Sequence, residues 1–246
     1  MTTGVVLVTG GSRGIGAAIV RGAAARGQKV AFSYVTNAGA ATALVDEIAA
    51  AGGIALAIQA DVADPSAPAR LFDAAEALDP VTALVNNAGV TGKLGRLADL
   101  PLDALCKTID TNLTGTILMA QEAVRRWEAT GTPGRMVNIS SVAATLGAPG
   151  EYVHYAATKA AVEAFTIGLG KEVAGRGIRV NAVSPGTTMT EIHAAGGNPD
   201  RPAQVAPRVP LGRVAEPEEI AAAVLWLLTD EASYVAGTVL RVGGGV

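Results

Sequence analysis

The chain has 246 residues, half of them hydrophobic, with 19 Lys and Arg against 22 Asp and Glu for a formal net charge of −3. That length and apolar content can bury a substantial core without staples, and the near-neutral, unclustered charge excludes recognition of nucleic acid through a concentrated basic face. Cys106 is the single cysteine and His154 and His193 the two histidines, which excludes an internal disulfide or thiolate cluster and leaves no metal site to expect.

In chain order, the β-branched run Val5–Thr9 reads as a strand and ends in Thr9-Gly10-Gly11-Ser12-Arg13-Gly14-Ile15-Gly16. An Ala-rich helical pattern over 14–26 comes next. Glycines let backbone turn sharply and approach a pyrophosphate, while a helix N-terminus offers free N–H groups and a positive dipole end. The spacing is G-x-x-x-G-x-G rather than the commoner G-x-G-x-x-G. The same stretch also fits G-x-S-x-G, which would make Ser12 a hydrolase nucleophile, but neither His154 nor His193 follows a strand near the C-terminus as that chemistry needs.

Further candidate strands are Lys29–Tyr34, Ile54–Ala60, Ala83–Asn86, Arg135–Ser140, Arg179–Val183 and Val239–Val242. Helical patterns fall at 38–51, 66–78, 102–129, 154–174 and 217–229. Asp64-Pro65 and Glu216-Pro217 supply acidic caps followed by proline at the first helical position. Nearly continuous apolar strands alternating with helices predict one α/β domain over 1–246, a doubly wound, parallel, seven-stranded sheet flanked by helices. Residues 184–215 hold five prolines and no period, which predicts a lid over the site. The start Met1-Thr2-Thr3-Gly4 lacks a signal peptide's basic region, and no apolar stretch reaches the roughly 18–20 residues of a membrane span. A soluble cytoplasmic chain without membrane or nucleic-acid partners is therefore expected.

Tyr155 and Lys159 stand four apart, on one face of their helix. An ammonium beside a phenol stabilises the phenolate, which predicts a Tyr155 pKa lowered toward the range of efficient proton transfer. Such a pair alone is more often a surface coincidence, so its surroundings decide. Thr9–Gly16, Asn86-Asn87-Ala88-Gly89, Asn112, Ser140-Ser141, Tyr155-x-x-x-Lys159 and Ser184-Pro185-Gly186 occur in an order and spacing that resembles the short-chain dehydrogenase/reductase family. The resemblance runs from residue 4 to about 245, and it implies a Rossmann-type fold.

It further implies Tyr155 as general acid or base and Lys159 as holder of the nicotinamide ribose and modulator of Tyr155. Ser141 would bond the substrate oxygen, favoured over Ser140 as the second serine after Asn138-Ile139, and Asn112 would anchor a water relay to Lys159. The cofactor residues implied are Gly10, Ser12, Arg13, Gly14, Ile15, Gly16, Tyr34, Asp61, Val62, Asn87, Ala88, Gly89, Tyr155, Lys159, Pro185, Gly186, Thr188 and Thr190. The gap from Ser141 to Tyr155 is one residue longer than is commonest in the family, which points to an insertion near Ala148-Pro149-Gly150. Tyr152 is followed four residues on by Ala156 and is not the catalytic tyrosine, while His154 is either a pocket or a plain helix-start residue.

At the end of the second strand Tyr34 stands where a carboxylate would bond the ribose of NAD(H), and Val35-Thr36-Asn37 add no negative charge. With Arg13 available to a 2′-phosphate, NADP(H) is expected over NAD(H). Segments 91–101, 142–153 and 187–210 should line a pocket short on charge, most like that of sugar or alcohol dehydrogenases in the family. The expected activity is hydride transfer between a carbonyl or secondary alcohol of a small molecule and the nicotinamide, in a homotetramer built on the 102–129 and 154–174 helices. Two alternatives stand beside it. One is a 3-oxoacyl-carrier-protein reductase, with Arg125, Arg126 and Arg176 as its basic landing patch; the other is a non-catalytic NADP-binding protein.

Overall fold

The β-branched runs become seven strands of a single sheet in the computed structural model, which describes residues 4–246. Residues 1–3, on which the start of the expected domain and the reading of the N-terminus fall, lie outside the described residues. The strands are β1 (Val5–Val8), β2 (Lys29–Tyr34), β3 (Ala55–Gln59), β4 (Val81–Asn86), β5 (Arg135–Ile139), β6 (Arg179–Pro185) and β7 (Val239–Val242). All pair in parallel, in the order β3-β2-β1-β4-β5-β6-β7. The order reverses at β1, so a crevice opens beyond the carboxyl ends of β1 and β4.

The helices are α1 (Gly14–Ala24), α2 (Ala38–Ala50), α3 (Ala67–Glu76), α4 (Leu102–Ile109), α5 (Gly115–Thr130), the short α6 (Ala143–Leu146), α7 (Val153–Val173), the short α8 (Ile192–Ala195) and α9 (Arg201–Val205), and α10 (Pro217–Leu227). Successive strand residues point to opposite faces, and the core divides accordingly. Val6 and Val8 pack with Ile19 and Val20 of α1, Leu44 of α2 and Val224 of α10. Val5 and Leu7 pack on the other face with Phe72 of α3, Met119 and Trp127 of α5 and Val173 of α7. Burial on both faces is why the strands are apolar almost without interruption. Trp127, nearly fully buried, keeps its indole satisfied by donating Nε1–H to the Val81 carbonyl at 2.7 Å.

Three expectations need correction. The 102–129 helix is not regular: Asp110–Thr114 forms a π turn, with Gly115 N–H reaching back to the Asp110 carbonyl, and Asn112 sits inside it. Asp64 does not cap α3 directly but accepts from the Ser66 N–H at 2.9 Å in a turn, and the helix starts at Ala67. The 184–215 stretch is not wholly irregular, since it finishes β6 and holds α8 and α9, each too short for a periodic signature. Glu216, by contrast, precedes Pro217 as expected, and its N–H donates to Glu219 at 2.9 Å. No helix among the described residues is long and apolar enough to cross a membrane.

Gly170 lets α7 lie close to the end of the sheet: a Cβ there would stand 2.6 Å from Gly237 Cα and 3.0 Å from the Val180 carbonyl. Gly168, two residues earlier on α7, has nothing within 4 Å of its would-be Cβ. Gly168→Ala should therefore be neutral or stabilise by up to ~1 kcal/mol through helix propensity. Gly170→Ala should destabilise by about 1–3 kcal/mol through overpacking. Urea midpoints of the two variants check the pair; equal shifts would contradict the packing.

Candidate active site

The glycine-rich turn is pinned from both neighbouring strands. Gly10 N–H donates to Ser33 Oγ at 3.0 Å and Gly11 N–H to the Ser33 carbonyl at 2.9 Å, both at the end of β2. From the β4 side, Asn87 Nδ2 donates to the Thr9 and Gly10 carbonyls at 3.0 and 2.9 Å. Thr9 Oγ1 in return accepts the Asn87 and Ala88 N–H groups, each at 3.0 Å. Gly10 and Gly14 hold φ of +65° and +51°, and a Cβ at Gly16 would stand 2.2 Å from the Gly10 carbonyl. α1 begins with no side-chain cap from Arg13 and no acid in its first turn, so its first N–H groups are free for an anion.

Arg13 is exposed at this turn and Tyr34 half-buried beside it. Asn37 is spent in part on α2, where its Oδ1 accepts the Ala40 N–H at 3.0 Å.

β5 and α7 supply the second cluster. Tyr155, Ser141 and Lys159 come together, with the Ser141 hydroxyl bonded to that of Tyr155. Lys159 is 4% exposed, its Nζ donates to the Ile139 carbonyl at 2.8 Å, and it lies 5.7 Å from the Tyr155 ring centroid. Burial pulls the Lys159 pKa down to about 8. Burial pushes Tyr155 up to about 12, against the Ser141 hydrogen bond that lowers it. The expected downward shift of Tyr155 is thus reversed: desolvation of the phenolate outweighs the Ser141 hydrogen bond and the Arg201 charge that lower it, while the Lys159 ammonium is committed to a carbonyl. Ser140 turns away, donating to Glu163 Oε1 at 2.8 Å.

Asn112 is fully buried. Its Oδ1 accepts the Val90 N–H at 2.8 Å, and its Nδ2 donates to the Val90 carbonyl at 2.9 Å and to Thr158 Oγ1 at 3.1 Å. Its backbone carbonyl accepts the Thr116 hydroxyl at 2.8 Å. The π turn thereby ties β4's extension to α7.

One cavity of about 570 Å³ joins the two clusters, and all the expected site residues line it except Asn112. His154 does not line it either; its Nε2 donates to the Thr91 carbonyl at 3.0 Å, which is the plain structural alternative. The loop where an insertion is expected reaches the cavity through Leu146, Ala148 and Pro149, and Ala148 is the one non-glycine with positive φ, at +47°, among the described residues. The wall opposite is more polar than expected. Glu151, Tyr152, His193 and Arg201 line it, none of them singled out as site residues from the sequence. Arg201 lies more than about 40 positions from every other site motif except that of Pro185–Thr190, so no local spacing could have marked it.

A family profile described as Enoyl-(Acyl carrier protein) reductase matches residues 10–246. "Uncharacterized oxidoreductase YgfF" of Escherichia coli is 45% identical over 98% of this chain and 99% of its own length. A "3-oxoacyl-[acyl-carrier-protein] reductase" of Synechocystis sp. is 40% identical over 100% of this chain and 98% of its own. Among solved structures, a blue fluorescent protein from a metagenomic library in complex with NADPH aligns with a TM-score of 0.89 at 38% identity, over 98% of this chain and 97% of that one. With the parallel sheet and the turn–strand–helix site above, these matches establish that the chain belongs to the short-chain dehydrogenase/reductase family.

Proposed function

We propose that residues 1–246 form one catalytic domain, an NADP(H)-dependent oxidoreductase acting on a carbonyl or secondary alcohol of a small molecule, with Tyr155 as its proton donor and acceptor. The observation that carries this reading is the shared cavity, with the glycine turn and free α1 N-terminus at one end and Ser141, Tyr155 and Lys159 at the other. These residues fit a dinucleotide: no side chain caps α1, and Gly89, whose would-be Cβ stands 3.5 Å from Lys159 Nζ, leaves room in front of that lysine. A bound nicotinamide supplies or takes up the hydride at its C4 carbon.

The chain's own contribution is positioning and proton handling. Burial keeps Tyr155 as the neutral phenol, the form that donates a proton to a carbonyl oxygen. Ser141 stands beside it as a second donor to that oxygen. Lys159 carries its charge below about pH 8, where it favours oxyanion and phenolate forms. No acid stands from Ser33 to Asn37, Arg13 is exposed beside the turn, and a similar structure holds NADPH; together these support NADP(H) over NAD(H). A cytoplasmic homotetramer completes the proposal, and exposed Ile117 on α5 and Ile167 on α7 suit helix-mediated assembly.

The carrier-protein reductase is the second reading, favoured by the Synechocystis relative. Its basic landing patch is largely spent, however. Arg126 is held by Asp73, Glu76 and Glu122, and Arg176 is ion-paired with Glu128.

Titration with NADPH and NADH by nicotinamide fluorescence should show tighter NADPH binding. Arg13→Ala should weaken NADPH by about tenfold or more, ~1.4 kcal/mol, and NADH far less. Equal losses would remove the 2′-phosphate assignment. Tyr155→Phe should abolish turnover of a carbonyl panel while sparing NADPH binding; a wild type that binds NADPH but turns over no carbonyl would favour the non-catalytic alternative.

Lys159 gives a pH prediction. Its folded pKa, about 8, lies below its ordinary 10.5, so between those values the unfolded chain holds a proton that the folded one has released. Its contribution to stability therefore rises with pH across that window. Lys159→Met should be more stable than wild type at pH 7, with the gap closing toward pH 10.5. Paired urea melts across that range check it, and a constant gap would contradict the buried charge. Carbonyl reduction by the wild type should fall above about pH 8 as the ammonium is lost.

A further inference from the structure

Tyr155, Lys159 and Glu163 recur every fourth residue on α7, so a carboxylate continues the stripe that carries the proton-handling pair. Lys159, one turn before it, donates instead to the Ile139 carbonyl, at 2.8 Å. Glu163 is half-buried, and its Oε1 accepts the hydroxyl of Ser140 at 2.8 Å, a residue only 2% exposed. The same hydroxyl also reaches the Lys159 carbonyl, at 3.2 Å. Partly desolvating a carboxylate costs free energy, and a serine hydroxyl offsets that cost less fully than a cation would. As a mere fastening between strand and helix it would be a poor choice, so the place of the bond matters.

Beyond Ile139 the chain still follows β6: Ser140 N–H donates to the Val183 carbonyl at 2.7 Å and Val142 N–H to the Pro185 carbonyl at 2.9 Å. Successive side chains of such an extended stretch leave on opposite sides, so pinning Ser140 aims Ser141. Ser141 Oγ accepts the Ala143 N–H at 3.2 Å and meets the Tyr155 hydroxyl. Three consecutive residues at the end of β5 are thus tied to three successive turns of α7: Ile139 to Lys159, Ser140 to Glu163 and Ser141 to Tyr155. In the reaction proposed above, the Ser141 and Tyr155 hydroxyls both turn to the substrate oxygen, so the bond between them opens. The Ser140–Glu163 bond can stay closed throughout. Glu163 itself is not among the residues that line the cavity, so any effect it has on the reaction passes through Ser140.

Resting on the oxidoreductase reading above, we propose that Glu163 is a positioning residue for carbonyl reduction. Through Ser140 it holds the end of β5 in place, so that the Ser141 hydroxyl stays beside that of Tyr155 when both turn to substrate. It also decides which of the two neighbouring serines is available, since the Ser140 hydroxyl is committed to α7. What Glu163 contributes is an acceptor oxygen rather than a charge.

Steady-state reduction with NADPH tests this, using whichever of cyclohexanone, ethyl acetoacetate, acetophenone and benzaldehyde the wild type turns over fastest. Glu163→Ala and Ser140→Ala should each lower kcat and kcat/KM together, by about tenfold, because misplacing a reacting group costs rate rather than binding. The KM of the carbonyl and the affinity for NADPH should hold. The double variant should be no slower than either single one, since both remove the same bond. Glu163→Gln keeps an acceptor oxygen and should recover most of the loss seen in Glu163→Ala. NADPH titration reports whether each variant is folded, and Ser140→Ala with Glu163→Gln keeps the test alive if Glu163→Ala does not fold. Unchanged kcat in both alanine variants, losses that multiply in the double variant, or Glu163→Gln as slow as Glu163→Ala would each overturn the proposal. So would NADPH affinity falling in step with kcat, the mark of a general structural role. All these outcomes leave the oxidoreductase reading intact, whereas a wild type that reduces none of the four carbonyls would remove that reading and this one with it.

Discussion

Thr9-Gly10 and Asn87-Ala88 share four hydrogen bonds across the carboxyl ends of β1 and β4, and the rest of the site is built outward from that seam. It lies where the strand order reverses, the one place in such a sheet where neighbouring connections part and leave a crevice. With the Thr9 and Gly10 carbonyls held by Asn87, and Gly10 and Gly11 N–H held by Ser33, the turn has little freedom left. α1 is then delivered with its unbonded N–H groups in a fixed place, which is what preorganised anion binding requires. Asn112 performs the same service one step further along, fastening Val90 to the helix that carries Tyr155 and Lys159.

At the other end of the cavity, burial works against charge on both partners of the Tyr155–Lys159 pair. Neither is offset by a carboxylate: Lys159 has a backbone carbonyl, and Tyr155 has a serine hydroxyl. Both neutral forms are favoured, so near pH 7 the phenol carries no charge to bury and the electrostatic cost falls on the Lys159 ammonium. Strongly shifted groups in a cleft mark sites where stability has been given up for chemistry.

Much of this could be read from residue order. The apolar strands, the glycine turn and the Tyr155/Lys159 spacing each reflect a local rule, and the structure has the strands and long helices within a few residues of expectation. What could not be read depends on three dimensions. The direction of the Tyr155 shift is decided by how much protein covers the phenol, which spacing four residues away does not reveal. The π turn leaves no trace in hydrophobic period because it adds only one residue. The polar wall joins Glu151 to Arg201 across fifty positions, and a segment rich in proline gave no sign that one arginine in it would be buried.

The widened turn at Asp110–Thr114 also bears on how this stretch tolerates change. One residue beyond a regular helix rotates α4 by about 100° relative to α5. α4 can thus present its inner face to α7 while α5 presents its own to β4 and α3. Deleting a single residue would straighten the rod and swing α4's apolar side off its neighbour. Length is therefore held more tightly here than composition, unlike the 131–134 connection after α5, where Gly131 adopts a left-handed turn at the surface.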